Sequence, residues 1–465
     1  MIYLKETFPR YTSDYSAMHQ DNLGSQVDEM NSVNSPWFEL VVDGKVIDNV
    51  KLPQPSAGYR NVWFWDTYQQ QEIEGHRKSP HARTHWESNM KLTSLTGDSQ
   101  IVATDKEQNF KRVLFRAIRT VDGKDMLTQP HVYGTALLSY AINHPEDNAF
   151  LKDAVAHYSG MHDSVWERRK VPGINLLAII HRLESLDASP ATRYLPQIGP
   201  FTLDGTNRLS FALGTIYQYA KNKRNINSDR SLKKIEGIVD LPFNVYAALS
   251  AYGLAAVWRQ VGNDEEADKY TQRADNMTDA LERHCWDEYR GLFFPLVVDK
   301  DGIEMKRDNV VTIGSILPMR LPLKRQKAIH LYQSYQHYFQ HNGPGGTPTV
   351  APRETGHYHD NDYPLFQGFS APFIEKDMTM AMLKIGFVDG ARNHWQRFVN
   401  MVKNDTDTTV VNKRLQQLFT LGEFYDSKGK SLAGRHKRYP WAGWAAVEFE
   451  ELQRMNEALF MKEKR

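Results

Sequence analysis

The residues of this chain best suited to chemistry lie where its helical periodicity breaks. Tyr59-Arg-Asn-Val-Trp-Phe-Trp-Asp-Thr-Tyr68 places five aromatics and one carboxylate, Asp66, within ten residues. Aromatic faces beside a carboxylate that can hold two hydroxyl groups are what a sugar ring requires. The same block also fits an aromatic core knot in which Asp66 caps a helix, and on the residues alone the two readings weigh evenly. A second break, Gly199-Pro-Phe-Thr-Leu-Asp-Gly-Thr-Asn-Arg208, sets Asp204 before Gly205 and Arg208 four residues on. An ordinary Asp-Gly turn leading into a helix from Leu209 has the same pattern. In a third, Leu421-Gly-Glu-Phe-Tyr-Asp-Ser-Lys-Gly429, Glu423 stands between a helix and a turn, as at any solvated helix terminus. Together Asp204 and Glu423 are two widely separated carboxylates, which general acid–base cleavage of a glycoside requires.

Other constellations carry less. His357-Tyr-His-Asp-Asn-Asp362 has metal-ligand residue types, but His-x-His on a loop is incomplete without a partner segment. It is expected to form a polar lip over a cleft. His76, His81 and His85 read as satisfied or exposed histidines rather than zinc ligands. Asp240 is expected to cap the helix that follows Pro242. The basic run between Lys221 and Lys234 has no interleaved aromatics and reads as a solvated loop. Neither a Gly-rich phosphate loop nor a G-x-S-x-G elbow occurs, and neither metal nor cofactor is expected.

These breaks must be positioned by helices. Apolar residues recur at helical spacing over Lys106–Val121, Thr135–Ile142, Val171–Leu186, Leu209–Ala220, Phe243–Val261, Lys324–Phe339, Lys376–Ile385, Val410–Leu421 and Trp444–Met461. Only Phe38–Asp48, apolar on both sides of Asp43-Gly44, reads as a β-hairpin. Strand–helix alternation of the Rossmann or TIM kind is missing. A dozen or so helices with no linker fit an all-α fold, an (α/α)6 toroid of six inner and six outer helices, with a short N-terminal β-hairpin extension. Residues 1–55 are expected to form the extension and residues 56–465 the catalytic ring.

Composition narrows the partners. The 57 Lys and Arg balance 56 Asp and Glu to a net charge of +1, which argues against binding nucleic acid by phosphate neutralisation. Hydrophobic residues at 41% suffice for a large core. Mean hydropathy is −0.58, and the absence of a purely apolar run of about 18 residues predicts no membrane span. The N-terminus has no apolar signal-peptide segment, and the lone Cys285 allows no internal disulfide. A cytoplasmic protein is the expectation.

Taken in order, Tyr59…Trp63-Phe-Trp-Asp66, Gln129-Pro-His131, Leu203-Asp-Gly-Thr-Asn-Arg208, Val239-Asp-Leu-Pro-Phe-Asn244, Cys285-Trp-Asp-Glu…Gly291, Glu423-Phe-Tyr-Asp426 and Pro440-Trp-Ala-Gly443 resemble the motif series of the (α/α)6 glycosidases. The series is most similar to glycoside hydrolase family 63, in particular its compact bacterial glucosylglycerate and mannosylglycerate hydrolases. Trehalases are a more distant relative. The resemblance implies an inverting enzyme without a cofactor, with Asp204 as general acid and Glu423 as general base. It further implies that Tyr59, Trp63, Trp65, Asp66, Gln129, Arg208, Gln367, Gly368 and Trp441 bind substrate. Two departures stand out: the family's Trp before the acid is Leu203 here, and its Tyr-Trp-Arg-Gly-x-x-Trp stretch is Tyr363-Pro-Leu-Phe-Gln-Gly-Phe369.

The expected function is therefore hydrolysis of a small α-linked glucoside or mannoside, a glucosylglycerate-like solute or a disaccharide. Its partner is a small carbohydrate, with no nucleic acid and no membrane; a homo-oligomer is left open. The alternative is a non-hydrolytic toroid, either a carbohydrate-binding protein or a polysaccharide lyase or epimerase. That reading keeps the aromatic platform but needs no paired carboxylates.

Overall fold

The computed structural model describes residues 2–6, 37–43, 45–53, 61–96, 101–103, 128–179, 184, 237–298, 305–307, 310–339, 346–353, 370–404 and 447–460. Ten helices occur among them: α1 (Phe64–His76), α2 (Ala82–Thr96), α3 (Tyr133–Asn143), α4 (Asn148–Arg169), α5 (Leu241–Gln260), α6 (Asp264–His284), α7 (Arg325–Tyr338), α8 (Pro372–Lys384), α9 (Val388–Asn404) and α10 (Phe449–Leu459).

Two helices show how sequence sorts inner from outer. α5 starts where Asp240 Oδ2 accepts from Phe243 N at 3.0 Å, with Pro242 in its first turn, as expected. Its residues from Leu241 to Trp258 are all buried, because the helix is apolar on every side and other elements surround it. α6 is the opposite case. Asn263 caps it, Asp264, Glu265 and Glu266 fill its first turn, and Arg283 and His284 lie in its last turn, each charge placed to suit the helix dipole. Only the stripe Ala267, Tyr270, Thr271, Ala274, Met277, Thr278, Ala280 and Leu281 is buried, the spacing of a helix with one face on a core.

Inner and outer elements alternate along the chain. α1, α3, α5, the 3-10 turn Leu317–Arg320 and α8 form the inner set, with neighbours packed in that order. Lys376 of α8 reaches back to Glu72 of α1. α3 and α5 approach so closely that Gly134 N donates to Ser250 Oγ at 2.9 Å, and a Cβ on Gly253 would run into the Gly134 carbonyl and lie 2.8 Å from Thr135 N. Only glycine fits such a crossing.

α10 lies across the end where the inner helices finish. Its Glu451 meets His76, the last residue of α1, at 3.8 Å. Arg454 donates to Asn143, the last residue of α3, at 3.4 Å. Beyond its C-terminus, Phe460 sits under Lys384, the last residue of α8, with Nζ 3.8 Å from the ring centroid. The starts of the inner helices face the other way.

The strands β1 (Ile2–Glu6), β2 (Trp37–Val42) and β3 (Lys45–Lys51) form an antiparallel sheet in the order β1-β2-β3. The expected hairpin turns at Asp43, which adopts φ 48°; β1 is a third strand that the sequence pattern does not announce. The sheet leans on α2, where Lys51 N donates to Ser88 Oγ at 2.9 Å and Lys91 pairs with Asp48 at 2.9 Å. Short strands β4 (Asn61–Trp63) and β5 (Ile101–Ala103) pair antiparallel, β4 running directly into α1.

The expected helices at 135–142, 243–261, 324–339, 376–385 and 444–461 appear as α3, α5, α7, α8 and α10, the last beginning only at Phe449. Those at 106–121, 209–220 and 410–421 lie outside the described residues. One expectation is corrected. Val171–Ile179 is not helical: Lys170 bridges Leu177, Gly173 takes φ 79°, and Ile179 bridges Ile238. Pro172-Gly173 reverses the chain there, and a short apolar run suits a buried extended segment as well as a helix. The apolar spacing also misses α1, α2, α4, α6 and α9, and the Tyr59–Tyr68 block is not a break throughout, since from Phe64 on it is the start of α1. α5 is long and apolar enough by length and composition to cross a membrane, yet the whole of its apolar window is buried inside the ring. It is a core helix.

Candidate active site

Trp65, Glu72 and His76 fall at i, i+7 and i+11 on α1, close to one side of the helix. That side looks into the ring from the helix start, at Trp65, to the end covered by α10, at His76. Trp65 N, one of the donors a helix start leaves without an intrahelical partner, donates to Gln129 Oε1 at 2.5 Å. The bond fixes the orientation of the Gln129 amide, since only its oxygen accepts. The half-buried indole is walled by Tyr246 of α5, centroids 5.0 Å apart at 70°, and by Phe373 of α8, 5.6 Å apart at 90°.

Asp66 is the third residue of α1, so it lies within the first turn and not at the N-cap. A carboxylate is favoured there by the helix dipole. Phe64 and Tyr68 turn outward: Phe64 stacks on Tyr68, whose ring meets Trp86, Tyr133 and Tyr158. The aromatic block therefore divides, with Phe64 and Tyr68 in a core knot and Trp65 with Asp66 partly exposed at the helix-start end of the ring.

Beneath Trp65 the interior is charged. Tyr246 OH donates to Asp377 Oδ2 at 2.5 Å, and Arg320 pairs with Asp377 Oδ1 while its other terminal nitrogen lies 3.2 Å from Met380 Sδ. One residue earlier on α8, Lys376 Nζ donates to Glu72 Oε1 at 2.7 Å, and Thr135 Oγ1 donates to Glu72 Oε2 at 3.4 Å. Burial raises the Glu72 carboxyl, but Lys376 and His76 outweigh it and hold it well below the ordinary value. Glu375 behaves alike: burial is outweighed by His394, by Ser370 Oγ donating at 2.5 Å and by the Thr347 N–H. Both carboxylates stay ionised near neutral pH, so neither can donate a proton there.

The Gln129 segment is itself anchored. Thr128 N donates to Glu184 Oε1 at 3.1 Å, and Arg169 pairs with the same buried carboxylate. His131 is buried beside the rings of Tyr133, His162 and Phe243. Burial, and after it the charges of His162, Arg168 and Arg169, push its pKa far down. It is a neutral imidazole.

Of the residues expected at a site, the structure brings Trp65 and Gln129 together and sets Asp66 beside them in sequence on α1. Trp63 is described through its backbone alone, paired with Ile101. Asp204, Glu423, Tyr59, Arg208, Gln367, Gly368 and Trp441 lie outside the described residues, as does the loop His357–Asp362. His85 lies 2.7 Å from Glu74, and His76 lies 3.8 Å from both Glu72 and Glu451. Sequence reasoning misses Tyr246, Arg320, Phe373, Lys376, Asp377 and Glu72. One signal is present: Pro372-Phe-Ile-Glu-Lys-Asp-Met-Thr-Met380 sets three consecutive charges in an otherwise apolar helix start.

A family model described as mannosylglycerate hydrolase MGH1-like glycoside hydrolase domain matches residues 59–443. No curated protein matches the sequence. Among solved structures, the GH63 mannosylglycerate hydrolase of Thermus thermophilus in complex with glucose is similar, with 16% identity and a TM-score of 0.65 over 95% of this chain and 100% of that one. The same hydrolase in complex with Tris and D-glycerate gives 17%, 0.66, 93% and 99%. Neutral trehalase Nth1 from Saccharomyces cerevisiae gives 11%, 0.54, 95% and 81%. At such identities the likeness speaks to the fold alone. The ring of inner and outer helices is an (α/α)6 toroid.

Proposed function

Because the chain belongs to the mannosylglycerate hydrolase MGH1-like family of glycoside hydrolases, we propose that it hydrolyses a small α-linked glucoside or mannoside with inversion at the anomeric carbon. The observation that carries this reading is the Trp65 indole at the helix-start end of the ring, tied by its backbone to Gln129 and followed by Asp66. The indole covers one face of the sugar. Asp66 and the NH2 end of Gln129 hold its hydroxyls. D-Glycerate occurs in one of the similar hydrolase structures, and the proposal takes up that chemistry: the leaving group is a small hydroxy acid. The ring and its lid helix at residues 56–465 form the catalytic unit, residues 1–55 form an extension, and the substrate is intracellular.

Asp204 is the general acid and Glu423 the general base. Asp204 must be protonated to donate to the departing oxygen, so burial or a like charge has to raise its pKa. Glu423 must stay ionised to draw a proton from the attacking water. For a single displacement the two carboxyl groups stand roughly 6.5–9.5 Å apart, leaving room for that water. Attack from the opposite face converts an α-linkage into a β-sugar.

A panel of α-linked glucosides and mannosides, glycerate conjugates among them, tests the reading by released sugar. Proton NMR of the first-formed product should show the β-anomer before mutarotation. An initial α-anomer would overturn inversion and the two catalytic roles. Failure of every α-glycoside to turn over, with sugar still bound, would return the chain to the non-hydrolytic alternative.

A further inference from the structure

We propose that Tyr246, Asp377 and Arg320 form a positioning unit that fixes the Trp65 ring in the orientation a sugar stacks on. The proposal rests on the reading of Trp65 as the sugar platform. Three inner elements converge here: Tyr246 from α5, Arg320 from the 3-10 turn at Leu317–Arg320, and Asp377 from α8. Their relative exposures are 5%, 5% and 1%, so their charges and hydroxyl have given up water for one another.

The connection to Trp65 is direct. The Tyr246 ring meets the indole nearly edge-on, and the same ring is held by its hydroxyl, which donates to Asp377 Oδ2 at 2.5 Å. Arg320 occupies the other oxygen of Asp377. The second wall of the indole, Phe373, stands four residues before Asp377 on α8, one turn earlier on the same face. Both walls are thus referred to one short stretch of α8. With the backbone N–H of Trp65 fixed by Gln129, the indole is held at its root and on two sides.

Packing alone does not call for this chemistry. Apolar residues of equal volume commonly stabilise an interior as well as or better than a buried ion pair. What the charged unit adds is direction: a hydroxyl with one acceptor cannot rotate away without leaving a buried donor unmet. Direction matters at a reacting centre, where a displacement of about 1 Å costs on the order of 10²-fold in rate.

The test is a double-mutant cycle between Tyr246→Phe and Trp65→Ala. It is read as the Kd of D-glucose and D-mannose by calorimetry and as KM and kcat on the best substrate. Tyr246→Phe keeps the ring and removes the tether. Alone it should weaken sugar binding about three- to tenfold, the scale of one aromatic contact, with the circular dichroism spectrum unchanged. In a Trp65→Ala background the same change should have no further effect on Kd, since the ring it orients is gone. Asp377→Asn, which keeps shape but weakens the acceptor, should reproduce the coupling if Tyr246→Phe folds poorly. Independent, multiplying effects of Tyr246→Phe and Trp65→Ala would overturn the positioning role and leave the platform standing. No effect of Trp65→Ala on either binding or turnover would overturn the platform itself, and the positioning role with it.

Discussion

Lys376 Nζ donates to Glu72 Oε1 across 2.7 Å, joining two inner helices through residues 304 positions apart. Their side chains are 8% and 5% exposed. Breaking such a pair by removing one partner leaves an uncompensated buried charge, at a cost of about 3–5 kcal/mol. Lys376→Met and Glu72→Leu are each expected to lose that much in urea denaturation. The joint variant should lose less than either alone, because it leaves neither charge behind.

Stability should peak near pH 6.5. Glu72 and Glu375 are lowered from an ordinary value of 4.5, so their contribution is present above it and lost as pH falls through their folded values. Burial, with Arg273 next, lowers His162 to about 4, and His131 is lowered as well. These two keep their contribution above the ordinary 6.5 and lose it on acidification, starting earlier than the carboxylates. His76 has the opposite sign. Burial opposes its charge, but Glu451 and Glu72 outweigh burial and raise its pKa. Its contribution is complete below 6.5 and lost as pH rises through the raised value. A series of Tm values from pH 3 to 9 should trace this dome. His76→Gln should flatten its alkaline side and also weaken the acid side, because His76 helps to hold Glu72 and Glu451 low.

Gln129 has two ends with separable duties. Gln129→Glu retains an acceptor for the Trp65 N–H but no longer donates, so sugar binding should weaken while Tm holds. Gln129→Leu loses both ends, and stability should drop by about 0.5–1.5 kcal/mol in addition. Unchanged sugar binding in Gln129→Glu, with Tm lost only in Gln129→Leu, would assign the side chain to helix capping alone.

Two glycine substitutions should move stability in opposite directions. Gly253→Ala drives a methyl group into the backbone of α3, with Thr135 N at 2.8 Å, and should cost about 1–3 kcal/mol by overpacking. Gly160→Ala lies on the exposed side of α4 with nothing within 4 Å, and should add about 0.4–1 kcal/mol through the unfolded chain. Thermal melts of the pair check both signs.

Local signals in the sequence match the structure where they are self-contained. Asp240 with Pro242 marks the start of α5, and Asp43-Gly44 marks the hairpin. The polar helix α6 is missed although its buried residues keep helical spacing, because that stripe is built largely of small and polar residues such as Ala267, Thr271, Ala274 and Thr278. Val171–Ile179 misleads because a run of apolar residues is ambiguous until its partner, Ile238, is known. The same holds for the ring interior. Glu72, Lys376 and Asp377 look like solvated helical charges when each helix is considered alone. Glu72 and Lys376 meet across 304 positions, and Asp377 meets Tyr246 across 131 and Arg320 across 57, contacts that no local period encodes.

α10 has a bearing on how the chain comes to be made. The residues it covers, His76, Asn143 and Lys384, end three inner helices that all precede it in the sequence. Synthesis runs from the N-terminus, so those helices leave the ribosome while the element that seals them is still being assembled. Until Phe449–Phe460 has emerged, those helix ends lack the contacts that α10 makes with them, and the side of α5 around Tyr252 lacks Phe460, which will sit 5.3 Å away. A translating chain of this protein therefore has those inner helices synthesised before the helix that ties their ends together, and protection by a chaperone would count most in that interval.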